Sequence, residues 1–100
     1  MIATLAAATI LSLTSTSYCL TGTMADGTQT RPRSVAMNTL PLGSKIKLIK
    51  PRSFNGYRIF YVRDRIGYGS ELDFWAPSCG QSMSWGRRPV TIKVLRTGRG

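Results

Sequence analysis

Short apolar runs separated by Gly, Pro and polar turns recur along the chain, and that pattern predicts strands rather than helices. Lys45 to Lys50 is the clearest half-buried strand: Ile46 and Leu48 point inward, the lysines point out, and Ile49 breaks the period. Tyr57 to Arg63 is apolar on both faces, as a central strand must be. Thr14 to Leu20 carries β-branched and aromatic residues and predicts another strand. A short strand over Ser34 to Asn38 is turned back by Leu40-Pro41-Leu42-Gly43. Leu72 to Ala76 predicts a strand after the Gly67-Tyr68-Gly69-Ser70 turn, and Val90, Ile92 and Val94 alternate in a terminal one.

Ser78-Cys79-Gly80-Gln81 matches a capping box, which predicts a short helix running to about Trp85 and stopped by Gly86. Thr21 to Arg33 is a long polar loop, with Asp26-Gly27 as a turn and Pro32 as a breaker. About six short strands and one brief helix give an all-β fold, a small closed or nearly closed β-barrel.

One hundred residues support a single domain. Residues 1–13 are apolar and uncharged, too short to span a bilayer as a helix. They resemble the apolar core of an export signal without a basic leader or clear cleavage site, with a buried first strand, or a segment cut from a longer chain, as the competing readings. The barrel domain is expected over residues 14–95, followed by a basic flexible tail over 96–100.

Charge changes the picture. Fourteen Lys and Arg against four acids give a net charge of +10, which predicts attraction to polyanions: nucleic acid, an anionic membrane or the anionic polymers of a bacterial wall. Nothing matches a specific nucleic-acid motif, although Tyr and Arg interleave from Tyr57 to Arg65. Cys19 and Cys79, with no His in the chain, fit no zinc pattern, so no metal is expected. Sixty residues apart, they can pair as one disulfide or remain two partly buried thiols.

With so few acids and no His, Asp64 and Asp73 are the best groups for acid/base chemistry. They stand nine positions apart across a Gly-rich turn. An Asp inside a strand is unusual, and Asp73, between Leu72 and Phe74-Trp75, is placed for a partly apolar cleft that would raise its pKa. The plainer alternatives are a turn-capping role for Asp64 and an ion pair of Asp73 with Arg63 or Arg87. Trp75 and Trp85 suit either a core or a sugar-stacking platform.

The ordered fragments Ser17-Tyr18-Cys19-Leu20-Thr21-Gly22, Leu40-Pro41-Leu42-Gly43-Ser44, Val62-Arg63-Asp64, Leu72-Asp73-Phe74 and Trp85-Gly86-Arg87-Arg88-Pro89-Val90-Thr91-Ile92 resemble the three-aspartate (3D) domain of bacterial cell-wall proteins. That resemblance spans roughly residues 15 to 95. It implies a six-stranded double-psi β-barrel related to the barrel domain of membrane-bound lytic transglycosylase A. It also implies cleavage of the glycosidic bond of peptidoglycan with no cofactor, outside the cytoplasm, in the wall or periplasm. Asp73 then matches the catalytic acid/base and Asp64 its supporting partner.

Asn38 stands where the family has its remaining aspartate, and the turn after Asp64, here Arg65 to Ser70, is shorter than in the family. Asn38, Arg65 and Trp75 are the expected substrate-binding residues. The expected partners of this monomeric domain are glycan strands and anionic wall polymers. A non-catalytic wall-binding module of the same fold, bacterial or from a phage, is the competing function.

Overall fold

The computed structural model describes residues 9–98. Among them six strands close into one mixed barrel: β1 (Thr9–Tyr18), β2 (Ser34–Ala36), β3 (Lys45–Lys50), β4 (Ile59–Asp64), β5 (Leu72–Trp75) and β6 (Arg88–Arg96). One helix, α1 (Cys79–Trp85), bridges β5 and β6. Around the barrel the order is β1-β5-β2-β4-β3-β6. β1–β5 and β2–β4 are parallel, and the other pairs are antiparallel. Exchanging β1 with β4, β2 with β5 and β3 with β6 leaves every pairing and its direction unchanged. The barrel is therefore two interlocked three-stranded halves, which agrees with the double-psi expectation.

Alternation builds the core. Ile46 and Leu48 of β3, Phe60 and Val62 of β4, Leu72 and Phe74 of β5, and Val90 and Ile92 of β6 all point inward and are buried. Phe74 is central: its ring stacks on Phe54 at 4.7 Å and meets Phe60 and Trp85 edge-on at 5.0 and 5.4 Å. Ser15 is one of three buried serines, with Ser34 and Ser44; its hydroxyl donates to the Arg88 carbonyl at 2.9 Å and accepts from the Trp85 indole at 3.0 Å.

Several boundaries differ from the sequence expectations. β1 begins at Thr9, because Thr9 to Leu13 pair with Val94 to Val90 of β6; part of the apolar segment is thus barrel wall. Residues 1–8, the rest of that segment, lie outside the described residues. The helix forms where the capping box places it, with the Ser78 hydroxyl accepting from the Gln81 amide at 3.2 Å. The Gln81 side chain does not reach back, however, and donates to Asn55 Oδ1 at 2.9 Å. The expected basic tail is partly tied down. Arg96 belongs to β6 and donates to the Gly43 carbonyl at 2.8 Å, while the Gly98 amide donates to Ser44 Oγ at 2.8 Å.

Cys19, just after β1, is bonded to Cys79 at the start of α1. The bond closes a sequence separation of 60 residues, which by chain entropy contributes about 4 kcal/mol. It anchors the helix over the end of the barrel where β1 and β5 finish.

Truncating Phe74 should empty the centre of the aromatic cluster. Phe74→Ala is expected to cost about 3 to 5 kcal/mol in urea unfolding, whereas Met83→Ala, on the exposed face of α1, should change stability by less than about 0.5 kcal/mol. Equal losses would contradict the packing described here.

Candidate active site

Strand pairing brings the two aspartates together. Thr16 of β1 lies opposite Asp73 of β5, Asp73 opposite Ala36 of β2, and Ala36 opposite Asp64 of β4. These four residues form one row across four adjacent strands. With strands about 4.8 Å apart, the aspartate Cα atoms lie roughly 10 Å from each other, and the small Ala36 between them leaves room for the carboxylates to face one space.

That row depends on a bulge. Val35 pairs with Val62, but the register then shifts so that Ala36 pairs with Asp64. Without the shift Arg63 would stand opposite Ala36, and the row would carry a guanidinium in place of the second carboxylate. The released Arg63 carbonyl accepts from the Asp26 amide at 3.0 Å, and Asp64 Oδ1 accepts from the Ala25 and Arg65 amides at 3.0 and 2.9 Å. The bulge therefore also stitches down the 21–33 loop, whose Met24 is buried beneath it.

A cavity of about 380 Å³ sits over the row, walled by Tyr18, Leu20 and Gly22 on one side and by Arg65, Ile66 and Tyr68 on the other. Its two carboxylates have different surroundings. Asp64 is fixed by the Ala25 and Arg65 backbone amides. Asp73 is pushed above the usual carboxylate range, first by burial and also by the charge of Asp64. The Thr16 hydroxyl, donating to Asp73 Oδ1 at 3.0 Å, works in the opposite direction. Thr16 is itself hydrogen-bonded to the Ser70 hydroxyl at 2.7 Å. Burial and the two aspartates together also hold the Tyr18 phenol well above its ordinary value, so it keeps its proton at neutral pH. The buried Asp73 carboxyl is thus biased toward carrying a proton.

The ion-pair alternative for Asp73 finds no support. Arg87 donates to the Gly69 carbonyl at 2.8 Å, and Arg63 lies over the Tyr61 ring at 5.0 Å. Nor do the expected binding residues all reach the cavity. Arg65 lines it, although its guanidinium is engaged by the Met37 and Leu40 carbonyls at 2.8 and 2.6 Å. Asn38 does not line it; its amide exchanges two hydrogen bonds with the Ile66 backbone, at 2.7 and 3.0 Å, and so holds the turn that forms the cavity wall. Trp75 is buried, with its indole donating to the Leu20 carbonyl at 2.9 Å, and has no face free to stack on a sugar.

Sequence reasoning missed Thr16, Tyr18 and Tyr68. Tyr68 is 95% exposed at the cavity mouth and Leu20 is 76% exposed on the other side. The isolation of Tyr68 between Gly67 and Gly69 was the available signal, since an aromatic held by two glycines on a turn has nothing to pack against. Among the described residues no group of three or more His, Cys, Asp or Glu is placed to hold a metal ion. A second, more open cavity of about 630 Å³ beside α1, lined by Phe54, Asn55, Gln81, Trp85 and Arg88 among others, contains no carboxylate. Arg88 covers its Trp85 ring at 4.2 Å.

Carboxyl titration by NMR tests the electrostatics. Asp73 should titrate above the ordinary range, Asp64→Asn should lower its pKa, and Thr16→Val should raise it further. Because the folded carboxyl holds its proton to higher pH than the unfolded one, ionising Asp73 costs stability as pH rises through the raised pKa. Asp73→Asn should accordingly raise the melting temperature at neutral pH and leave it nearly unchanged in acid.

No protein family, curated protein or solved structure matches this chain.

Proposed function

We propose that the cavity over Ala36 holds a glycan strand of peptidoglycan and that Asp73 cleaves its glycosidic bond as general acid and then general base. The observation that carries this reading is the bulged row, which sets a desolvated carboxyl and a second, backbone-anchored one on either side of a small residue within one walled cavity. The resemblance of the ordered fragments to the 3D domain supplies the substrate class. Asp73 donates its proton to the leaving oxygen. The resulting carboxylate then accepts a proton from a hydroxyl of the same sugar, which attacks the anomeric carbon and closes an anhydro ring without consuming water. Asp64 supports the positive charge that develops on the sugar and keeps the pKa of Asp73 raised. Tyr68 and Leu20 offer exposed apolar surface to the sugar faces at the mouth.

The Cys19–Cys79 bond supports an oxidising compartment outside the cytoplasm. Among the described residues no helix is long and apolar enough to cross a membrane.

One observation favours a second reading. Asn38 replaces the family's third acid and spends its amide on the Ile66 backbone, so the cavity contains two acids rather than three. A barrel that binds glycan without cutting it is the alternative function.

Incubation with purified peptidoglycan, followed by mass spectrometry of the products, separates the two. The catalytic reading expects anhydro-muropeptides from the wild type and a loss of about 10³-fold or more in Asp73→Asn, with sedimentation onto insoluble peptidoglycan retained. Tyr68→Ala should weaken that sedimentation without changing the melting temperature. Reducing ends would mean hydrolysis instead. Sedimentation with no soluble product from any variant would establish the binding module.

A further inference from the structure

The outer face of β4, β3 and β6, on the arc of the barrel away from Asp73, carries cations set directly against one another. Lys45 lies opposite Arg96 and Lys47 opposite Lys93, in two successive rows between β3 and β6. Ile46 and Leu48 fill the core, so Lys45 and Lys47 face outward. Like charges directly opposite in a sheet destabilise it, and alternation with acids would have removed the repulsion at no structural cost. No acid stands in either row; the chain's four acids are Asp26, Asp64, Glu71 and Asp73.

The cationic face continues onto β4. Tyr61 lies opposite Lys45, and Arg63 lies over the Tyr61 ring at 5.0 Å with its Nε buried and without a hydrogen-bond partner. Burial and the neighbouring charge of Arg31 pull the Arg63 pKa below its ordinary value, against the opposing pull of the Asp26 carboxylate. A cavity of about 340 Å³ lies between Arg63 and Arg96, lined also by Tyr61 and Thr28. Asp26 is the one carboxylate in it, and it is occupied by the Thr28 amide and hydroxyl at 2.9 and 2.6 Å.

We infer that this face docks a linear phosphate polymer that carries no aromatic bases. Alternate residues along a strand are roughly 6.8 Å apart, so a chain lying along β3 meets two cation pairs in succession, at Lys45 and at Lys47. The aromatic rings argue against a nucleic-acid strand. Tyr61 is covered on one face by Arg63 and Tyr57 by Arg33, both at 5.0 Å, so the platforms on which bases would stack are already occupied. The face lies apart from the Asp73 cavity and its role does not depend on any cleavage there.

The test measures binding of long-chain inorganic polyphosphate, and separately of a single-stranded oligodeoxynucleotide, to the full chain over a range of salt. Wild type should bind polyphosphate with a strong salt dependence. Lys45→Ala/Lys93→Ala, which removes one cation from each row, should weaken binding about tenfold and reduce the slope of log K against log salt by about 1.4. Lys50→Ala/Arg52→Ala, an equal loss of charge beyond the rows, should change affinity less than about twofold. The row variant should also melt no lower than wild type, since it relieves repulsion. Equal losses in the two variants, no polyphosphate binding by wild type, or a lower melting temperature of the row variant would overturn the proposal. So would an oligonucleotide bound as tightly as polyphosphate through the same lysines.

Discussion

The register shift between β2 and β4 is the constraint on which the candidate site depends. One extra residue, Arg63, turns an otherwise regular parallel pairing so that Asp64 faces Ala36 and shares a row with Asp73. The same shift frees the Arg63 carbonyl to take the Asp26 amide and presents the Asp64 carboxylate to the Ala25 amide, so the long loop that walls the cavity is fixed by the bulge as well. Carboxylate placement, cavity wall and loop conformation are thus one event in the backbone. A bulge is suited to this because it re-aims a side chain while the flanking ladder keeps it rigid.

The rest of the fold holds that row in place. Phe74 follows Asp73 directly, and its ring is locked among Phe54, Phe60 and Trp85, so the strand bearing the acid has little freedom to slide. Slippage by a single residue would expose Phe74 and bury Asp73 in the aromatic cluster. From the other side, Asn38 and Arg65 spend their polar groups on the backbone around the 65–68 turn. Asn38 therefore shapes the cavity wall from behind, while Arg65 lines the cavity with its guanidinium already engaged.

Charge is partitioned around the barrel. Asp73 and Asp64 share the row on β1, β5, β2 and β4, while the cross-strand cation rows lie on β3 and β6. Closing the sheet into a barrel makes that separation possible, because outward-facing residues of different strands look in different directions. An acidic cavity and a cationic face can then coexist on one small domain without neutralising each other.

Much of this was legible in the chain. The strand over Lys45–Lys50, the helix stopped by Gly86 and the six-stranded all-β fold follow from periods of two and from capping and breaking residues, which act over a few positions. The chemical interest of Asp64 and Asp73 also followed from the scarcity of acids. The start of β1 at Thr9 was hidden because an apolar run reads alike as an export segment and as a strand until β6 pairs with it. Trp75 showed the same ambiguity, since burial of an indole depends on the distant Leu20 carbonyl. The sequence by itself determined which residues could be strands and which could carry protons. The tertiary structure decided which of them meet, because the register between strands far apart in sequence is set by the packing of their inward faces.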